Sequence, residues 1–178
     1  HTSQSPLKEI TFNCKPNERM VIQTDNTVSS NIIFGMIGGI YSPTEGNLSI
    51  NHIPIGNLER RHLRNRIGNM LNQDLLVHAS LLENITLGRD YVSFGEVQAL
   101  CNQIGLSRAV QSLKEGYDTI LNPEGHFLPK DVIRKILLAR ALVGSPKLVL
   151  LEEPLQDLIP EEQDSILEII LSLPNTTI

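Results

Sequence analysis

Tryptophan is absent, and aromatic residues make up only 4% of the 178 residues, which argues against a base-stacking platform for single-stranded nucleic acid. Positive charge is in short supply too. Fifteen Lys and Arg against twenty Asp and Glu give a formal net charge of −5, the wrong sign for a polyanion-binding surface. Cysteine is scarce: Cys14 and Cys101 stand far apart, in no metal or redox spacing, and read as buried thiols in a reducing compartment. His52, His62, His78 and His126 have no ligand spacing and read as ordinary surface or core histidines. No Ser/His/Asp or Cys/His nucleophile pattern emerges. No apolar run approaches the roughly 20 residues of a membrane-spanning helix. His1 to Pro6 also lacks the charged-then-apolar layout of a signal peptide, so the polypeptide reads as soluble as it stands. The polar opening, and a stop at Ile178 just as a β-like stretch begins, read as a piece of a longer chain, truncated at both ends.

What is present suits one globular domain: 40% hydrophobic and 20% charged residues, over a length that can bury a core without disulfides or metal. Ile10, Phe12 and Cys14 alternate with polar residues, Pro16-Asn17 marks a turn, and Met20-Val21-Ile22 is a short apolar run, so the first quarter predicts strands. A polar loop is expected over Gln23 to Ser30, then a helix over Ile32 to Ile40 with Ile33, Met36, Ile37 and Ile40 on one face. Leu48 and Ile50 start a strand, Asn51-His52 turns it, and Ile53 and Ile55 return. The basic run Arg60 to Arg66, broken by Leu63, reads as a solvated amphipathic helix. Ser93-Phe94-Gly95-Glu96 is a capping box opening a helix that carries Phe94, Val97, Leu100, Cys101 and Ile104 inward and closes at Gly105. A later helix starts near Pro129, with Val132, Ile133, Ile136, Leu137 and Leu142 inward and Lys130, Arg134 and Lys135 outward. Leu148-Val149-Leu150-Leu151 has the continuous apolar character of a parallel strand buried on both faces. A last helix begins at Pro160, and Thr176 to Ile178 opens another strand. Strands flanking a helical insert predict one α/β domain with a helical subdomain.

Four stretches, in order, resemble the nucleotide-binding domain of ABC transporters, from about Leu7 to Ile178. LKEITFNCKPNERMVIQ is similar to the strand pair before that family's phosphate loop, and GGIYSPTEGNLSINHIPI to the stretch after it. HLRNRIGNMLNQD, continuing to LLENITLGRD, resembles the Q-loop region of exporter-type members. ILLARALVGSPKLVLLEEP resembles the helix after the signature motif running into Walker B. The resemblance implies a P-loop NTPase (RecA-like) α/β core with ABC-type antiparallel β strands and a helical subdomain. The core would take residues 1–75 and 143–178, and the subdomain about 76–142. It also implies ATP and Mg²⁺ as cofactors, a second nucleotide-binding domain and a transmembrane domain as partners, and a place on the cytoplasmic side of a membrane.

The departures from the family pattern weigh as much as the matches. The phosphate loop, G-x-x-x-x-G-K-[ST], falls on TDNTVSSN, Thr24 to Asn31. Thr24 and Ser29 replace the two glycines, Ser30 the lysine and Asn31 the Mg²⁺-binding hydroxyl, while Asp25 adds a negative charge beside the expected phosphates. The resemblance therefore assigns the nucleotide-facing positions to Thr24, Thr27, Ser29, Ser30, Asn31 and Ile32, with Gln73 as the Q-loop glutamine. A helix N-terminus would still attract an anion weakly, and Ser29, Ser30 and Asn31 also read simply as helix-starting residues. The signature motif LSGGQ falls on Leu128, Pro129, Lys130, Asp131 and Val132, without its hydroxyl or its glycines. In Walker B, Glu152 stands at the metal-binding Asp and Glu153 at the water-activating carboxylate. Leu155 to Pro160 occupies the D-loop without its usual wording. The expected function is a degenerate exporter nucleotide-binding domain with weak ATP binding and little hydrolysis, acting mainly as a coupling partner. The alternatives are an active ATPase that uses non-standard contacts, and a soluble regulatory module derived from the same fold.

Overall fold

The computed structural model describes residues 7, 9–24, 27–71, 75–123 and 127–178, the side chain of Thr27 excepted. Gln73, Asp25 and His126 lie outside the described residues. The main core gathers around one helix, α6 (Lys130–Leu142), in which Ile136, Leu138, Ala139 and Ala141 are fully buried. Burying an aliphatic side chain of that size contributes about 1.5–3 kcal/mol. The helix lies on β3 (Ile67–Met70), which pairs in parallel with β6 (Leu148–Leu151) in the register Ile67↔Leu148 to Met70↔Leu151. Gly68 permits the approach, since a Cβ there would overlap the carbonyl oxygen of Ala141. Leu148 also bridges to Thr177 in parallel, the beginning of the strand expected at the chain's end.

A helical group packs on the other side of α6. It comprises α3 (Leu81–Thr86), α4 (Phe94–Gln103) and α5 (Ser107–Ser112). β4 (Ala79–Ser80) pairs antiparallel with β5 (Ile120–Leu121). The expected capping box at α4 is present, with Glu96 N–H on Ser93 Oγ at 3.2 Å and Ser93 N–H on the Glu96 carboxylate at 2.8 Å. Ser80-Leu81-Leu82-Glu83 makes a second one at α3. Val97, Cys101 and Ile104 are buried as expected, and Gly105 follows the α4 helix at φ +70°. Phe94 is instead 48% exposed, because its ring packs edge-on against Tyr117 at the rim (centroids 5.1 Å apart).

A second, smaller cluster of Leu63, Ile67 and Leu150 receives Phe34 and Ile37 from α1 (Thr27–Ile37) and Ile50 from β1 (Ser49–Ile50). β1 turns through Asn51 and His52, both at positive φ, into β2 (Ile53–Pro54). Ile55 begins a 3₁₀ turn rather than extending that strand. The basic run forms α2 (Arg60–Arg66), with Leu63 buried and Arg60, Arg61, His62 and Arg64 exposed, as a solvated amphipathic helix requires. α7 (Pro160–Ser172) buries Ile166 and Ile170 one turn apart and carries Glu161 and Glu162 in its first turn, favourable beside the positive helix end.

Several expectations are corrected. Ile10 to Ile22 forms no strand: Met20 N–H reaches Ile178 O at 2.7 Å and Ile178 N–H reaches Glu18 O, but no ladder develops among the described residues and Val21 is 95% exposed. α1 begins at Thr27, inside the expected polar loop, and ends at Ile37 because Gly38 and Gly39, the latter at φ +73°, close it. Ile40 is consequently outside the helix and exposed. Ser29, Ser30 and Asn31 are interior helical residues, not its cap. Pro129 is the N-cap of α6 rather than its first residue, and its carbonyl accepts from Ile133 N–H at 3.1 Å. Lys135 does not face solvent: it is 4% exposed and bonds Glu162 at 2.7 Å, with Asp131 at 3.7 Å. Arg134 is half-buried, its guanidinium on Gln156 at 2.6 Å. Cys101 is buried, but Cys14 only half-buried.

Candidate functional site

The two carboxylates end β6, where the strand's backbone ladder runs out. Glu152 N–H donates to Met70 O at 2.9 Å, the last bond to β3, and the Glu152 side chain turns inward, 6% exposed. Glu153 follows in the left-handed region at φ +47°, which costs about 1–3 kcal/mol for a residue with a side chain. The twist turns the adjacent carboxylates to different surroundings: Glu152 is buried and Glu153 exposed.

The first turns of α1 come up against this strand end. Ser30 Oγ donates a hydrogen bond to Glu152 Oε1, joining two residues 122 positions apart. Ser29 is buried, while Thr24, Ser30, Asn31 and Ile32 are half-buried, and Thr27 begins the helix. The buried Oδ1 of Asn31 has no hydrogen-bond partner among the described residues, a deficit of about 1–3 kcal/mol. The geometry therefore brings together Ser30 and Glu152, with Ser29, Asn31 and Glu153 beside them in sequence.

The signature-equivalent residues make a separate group at the start of α6. Leu128 and Val132 pack into the main core, Pro129 and Lys130 are exposed, and Asp131 is the weaker carboxylate partner of Lys135. Arg134, one turn further on, reaches Gln156 and Asp157 (3.4 Å), tying α6 to the turn after Glu153. Nothing in the sequence marks that tie, because Gln156 and Asp157 are 22 and 23 residues away. The second capping box was legible as S-x-x-E before an apolar run, and was missed. Gln73 lies outside the described residues, as does any group of ligands that would include it.

The residues at the phosphate-loop position lack the cationic side chain that a nucleoside triphosphate calls for. The chain has no Lys or Arg between Arg19 and Arg60, so α1 and the loop before it supply no cationic side chain to a phosphate. The hydroxyl at Ser30 is directed to a carboxylate. A phosphate here would meet the Glu152 charge in a buried setting, where like charges repel strongly. Oxygen ligands for a hard cation are present in Glu152 and in the orphaned Asn31 amide oxygen.

The family model described as ABC transporter matches residues 7–156. An uncharacterised ABC transporter ATP-binding protein of Bacillus subtilis is 27% identical over 97% of this chain and 30% of its own length. The β-(1→2)glucan export ATP-binding/permease protein of Rhizobium meliloti is 24% identical over 85% of this chain and 26% of its own length. Among solved structures, a bacterial Atm1-family ABC exporter with ATP bound superposes with a TM-score of 0.85 over 99% of this chain and 32% of its own, at 23% identity. The chain thus spans under a third of these relatives.

Proposed function

Because the chain belongs to the ABC transporter family, we propose that it is the nucleotide-binding domain of a membrane exporter in which phosphate handling has decayed and mechanical coupling to a transmembrane domain remains. On this reading it binds MgATP weakly, turns it over slowly, and sits on the cytoplasmic side of the membrane paired with a second nucleotide-binding domain. The observation that carries the reading is the Ser30–Glu152 hydrogen bond. A neutral hydroxyl stands where the resemblance places a phosphate-neutralising lysine, and it is held by a carboxylate. Phosphoryl transfer depends mainly on positioning and counter-charge, so this substitution removes what the reaction most needs. Pro129, Lys130 and Asp131 weaken the opposite face in the same way, since they offer no hydroxyl and no close-approaching glycine amides.

The retained part is the packed helical group and the segment after the Q-loop position. Leu75 (65% exposed) and Val77 (42%) point outward, on either side of a buried Leu76 (2%), and Ile120 is exposed beside Ser80 across the β4–β5 pair. We assign this face, with Gln73, to contact with the transmembrane domain. No helix among the described residues is long and apolar enough to cross a membrane, so the spanning partner is a separate segment or subunit. The test is export by the full-length transporter at matched expression. Glu153→Gln should leave export nearly unchanged, whereas Val77→Glu, which sets a charge on the outward face, should uncouple it. If the Glu153 change stops export and the docking-face change is silent, the chain is a working ATPase.

A further inference from the structure

The outward-facing segment Leu75–Ser80 is held by side chains more than by sheet. Asn84, on α3 and fully buried, shares the two N–H bonds of Nδ2 among the carbonyls of Val77 (3.0 Å), Ala79 (3.2 Å) and Ser80 (3.0 Å). Its Oδ1 accepts from Val77 N–H at 2.8 Å. Arg140, 8% exposed on α6, then clasps both pieces. Its guanidinium donates to Asn84 O at 2.8 Å, to Asn84 Oδ1 at 3.0 Å and to Leu75 O at 2.9 Å. A second arginine closes the C-terminal ends of the same helices. Arg89 donates to Ile85 O and Thr86 O of α3 (3.0 and 2.8 Å), and to Arg140 O and Val143 O at the end of α6 (2.7 and 3.3 Å). One cation thus satisfies carbonyls at the C-terminal ends of two helices, where the partial charge is negative.

We propose that Asn84 and Arg140 are positioning residues that lock Leu75–Ser80 to α6 as one rigid body. A displacement of Leu75 and Val77 is then delivered to the other end of α6, at Lys130–Val132, about 12–15 Å from Arg140 along the helix. The proposal rests on the docking reading above for what pushes on the segment. Its physical basis is the number of bonds that meet at two buried side chains, Asn84 and Arg140. A buried polar network resists partial breakage because each freed group loses its partner without gaining water. The guanidinium fork adds direction, since its donors diverge at fixed angles and reach Leu75 and Asn84 together. Apolar packing alone would let such a segment slide, whereas bonds to Leu75, Val77, Ala79 and Ser80 fix its register along the chain.

Residue-resolved amide exchange on the chain tests the lock, with the Val77 amide as reporter. In Arg140→Lys, which keeps the charge but loses the fork, Val77 exchange should accelerate about tenfold or more, and the amide shifts of Lys130–Val132 should move with it. The core amides of Leu106 and Val149, bonded to Cys101 and Thr177, should keep their protection. Asn84→Asp, which keeps the acceptor for Val77 but sets a carboxylate against three carbonyls, should release the segment likewise. Should it fail to fold, Arg140→Lys decides alone. Unchanged Val77 exchange in Arg140→Lys overturns the proposal, and so does uniform acceleration of all amides, which would mean the network only holds the fold together. A silent docking face in the export assay would remove the docking reading and leave the exchange result standing.

Discussion

At Ser30 a hydroxyl does the work of closing a site that a cation would open. Its bond to Glu152 joins α1 to the end of β6, and α1 brings no Lys or Arg to that strand end. Ser30→Lys would place an ammonium against the Glu152 carboxylate, and with Ser29→Gly and Asn31→Ser it restores three of the four residues that define the family's phosphate loop. Nucleotide affinity should then rise about tenfold to a hundredfold, the usual worth of a charge-assisted hydrogen bond. Turnover should stay far below about 1 s⁻¹ in a homodimer, because Pro129 to Asp131 cannot close over the transferred group. A steady-state phosphate-release assay on the repaired chain checks this, and robust hydrolysis from the triple repair alone refutes the role given to Pro129–Asp131. Lys135 makes a second case. Lys135→Ala leaves Glu162 and Asp131 facing a gap; because both carboxylates are about one-third exposed and can be rehydrated, urea unfolding should show a loss of about 1–2 kcal/mol, below that of a fully buried pair. Lys135→Met, which restores the packing, should lie between that variant and the parent.

The elements that were legible in sequence are those with local signals. The capping box at Ser93, the apolar run Leu148–Leu151, Pro160 and the Asn51-His52 turn each carry their own chemistry, and each fell in place. The strands expected from Ile10 to Ile22 did not form, because alternation prepares a strand but pairing makes one, and the pairing here stops at Ile178. α1 was misplaced because Thr, Ser and Asn read as cap or loop, while tertiary contacts of Ile33, Phe34 and Ile37 carry the helix through them. Lys135 was misjudged for a similar reason: its partner Glu162 lies on another helix, 27 residues away. The two capping boxes have a pH signature. Backbone amides, then hydroxyls, of Ser80 and Ser93 hold the Glu83 and Glu96 carboxyls below their ordinary value of 4.5. Depressed carboxyl values give stability that is present above pH 4.5 and lost as pH falls through the lower folded values. Amide protection at the starts of α3 and α4 should fall in that acid window, while in Glu83→Gln and Glu96→Gln the affected helix start should lose that pH dependence. Protection that is flat across the window in the parent chain would remove the capping account.

For the whole molecule, the family and its α/β plan were readable from four stretches, and the match over residues 7–156 bears them out. The site was readable only as substitutions. Sequence named Ser30 and Glu152 separately, and only the fold, by setting β6 against α1, reveals that the two meet. The Asn84–Arg140 network was invisible, since its members lie 56 residues apart and their bonds run to backbone groups that no side-chain pattern announces. The proposed function and the proposed lock together make the chain a packed lever beside a phosphate-loop position that carries no Lys or Arg. Titration calorimetry of the chain with MgATP tests that claim most directly. The account requires a dissociation constant of about 1 mM or weaker, near −4 kcal/mol, little altered by Glu153→Gln. Saturable one-site binding in the low micromolar range, about −8 kcal/mol, would contradict it.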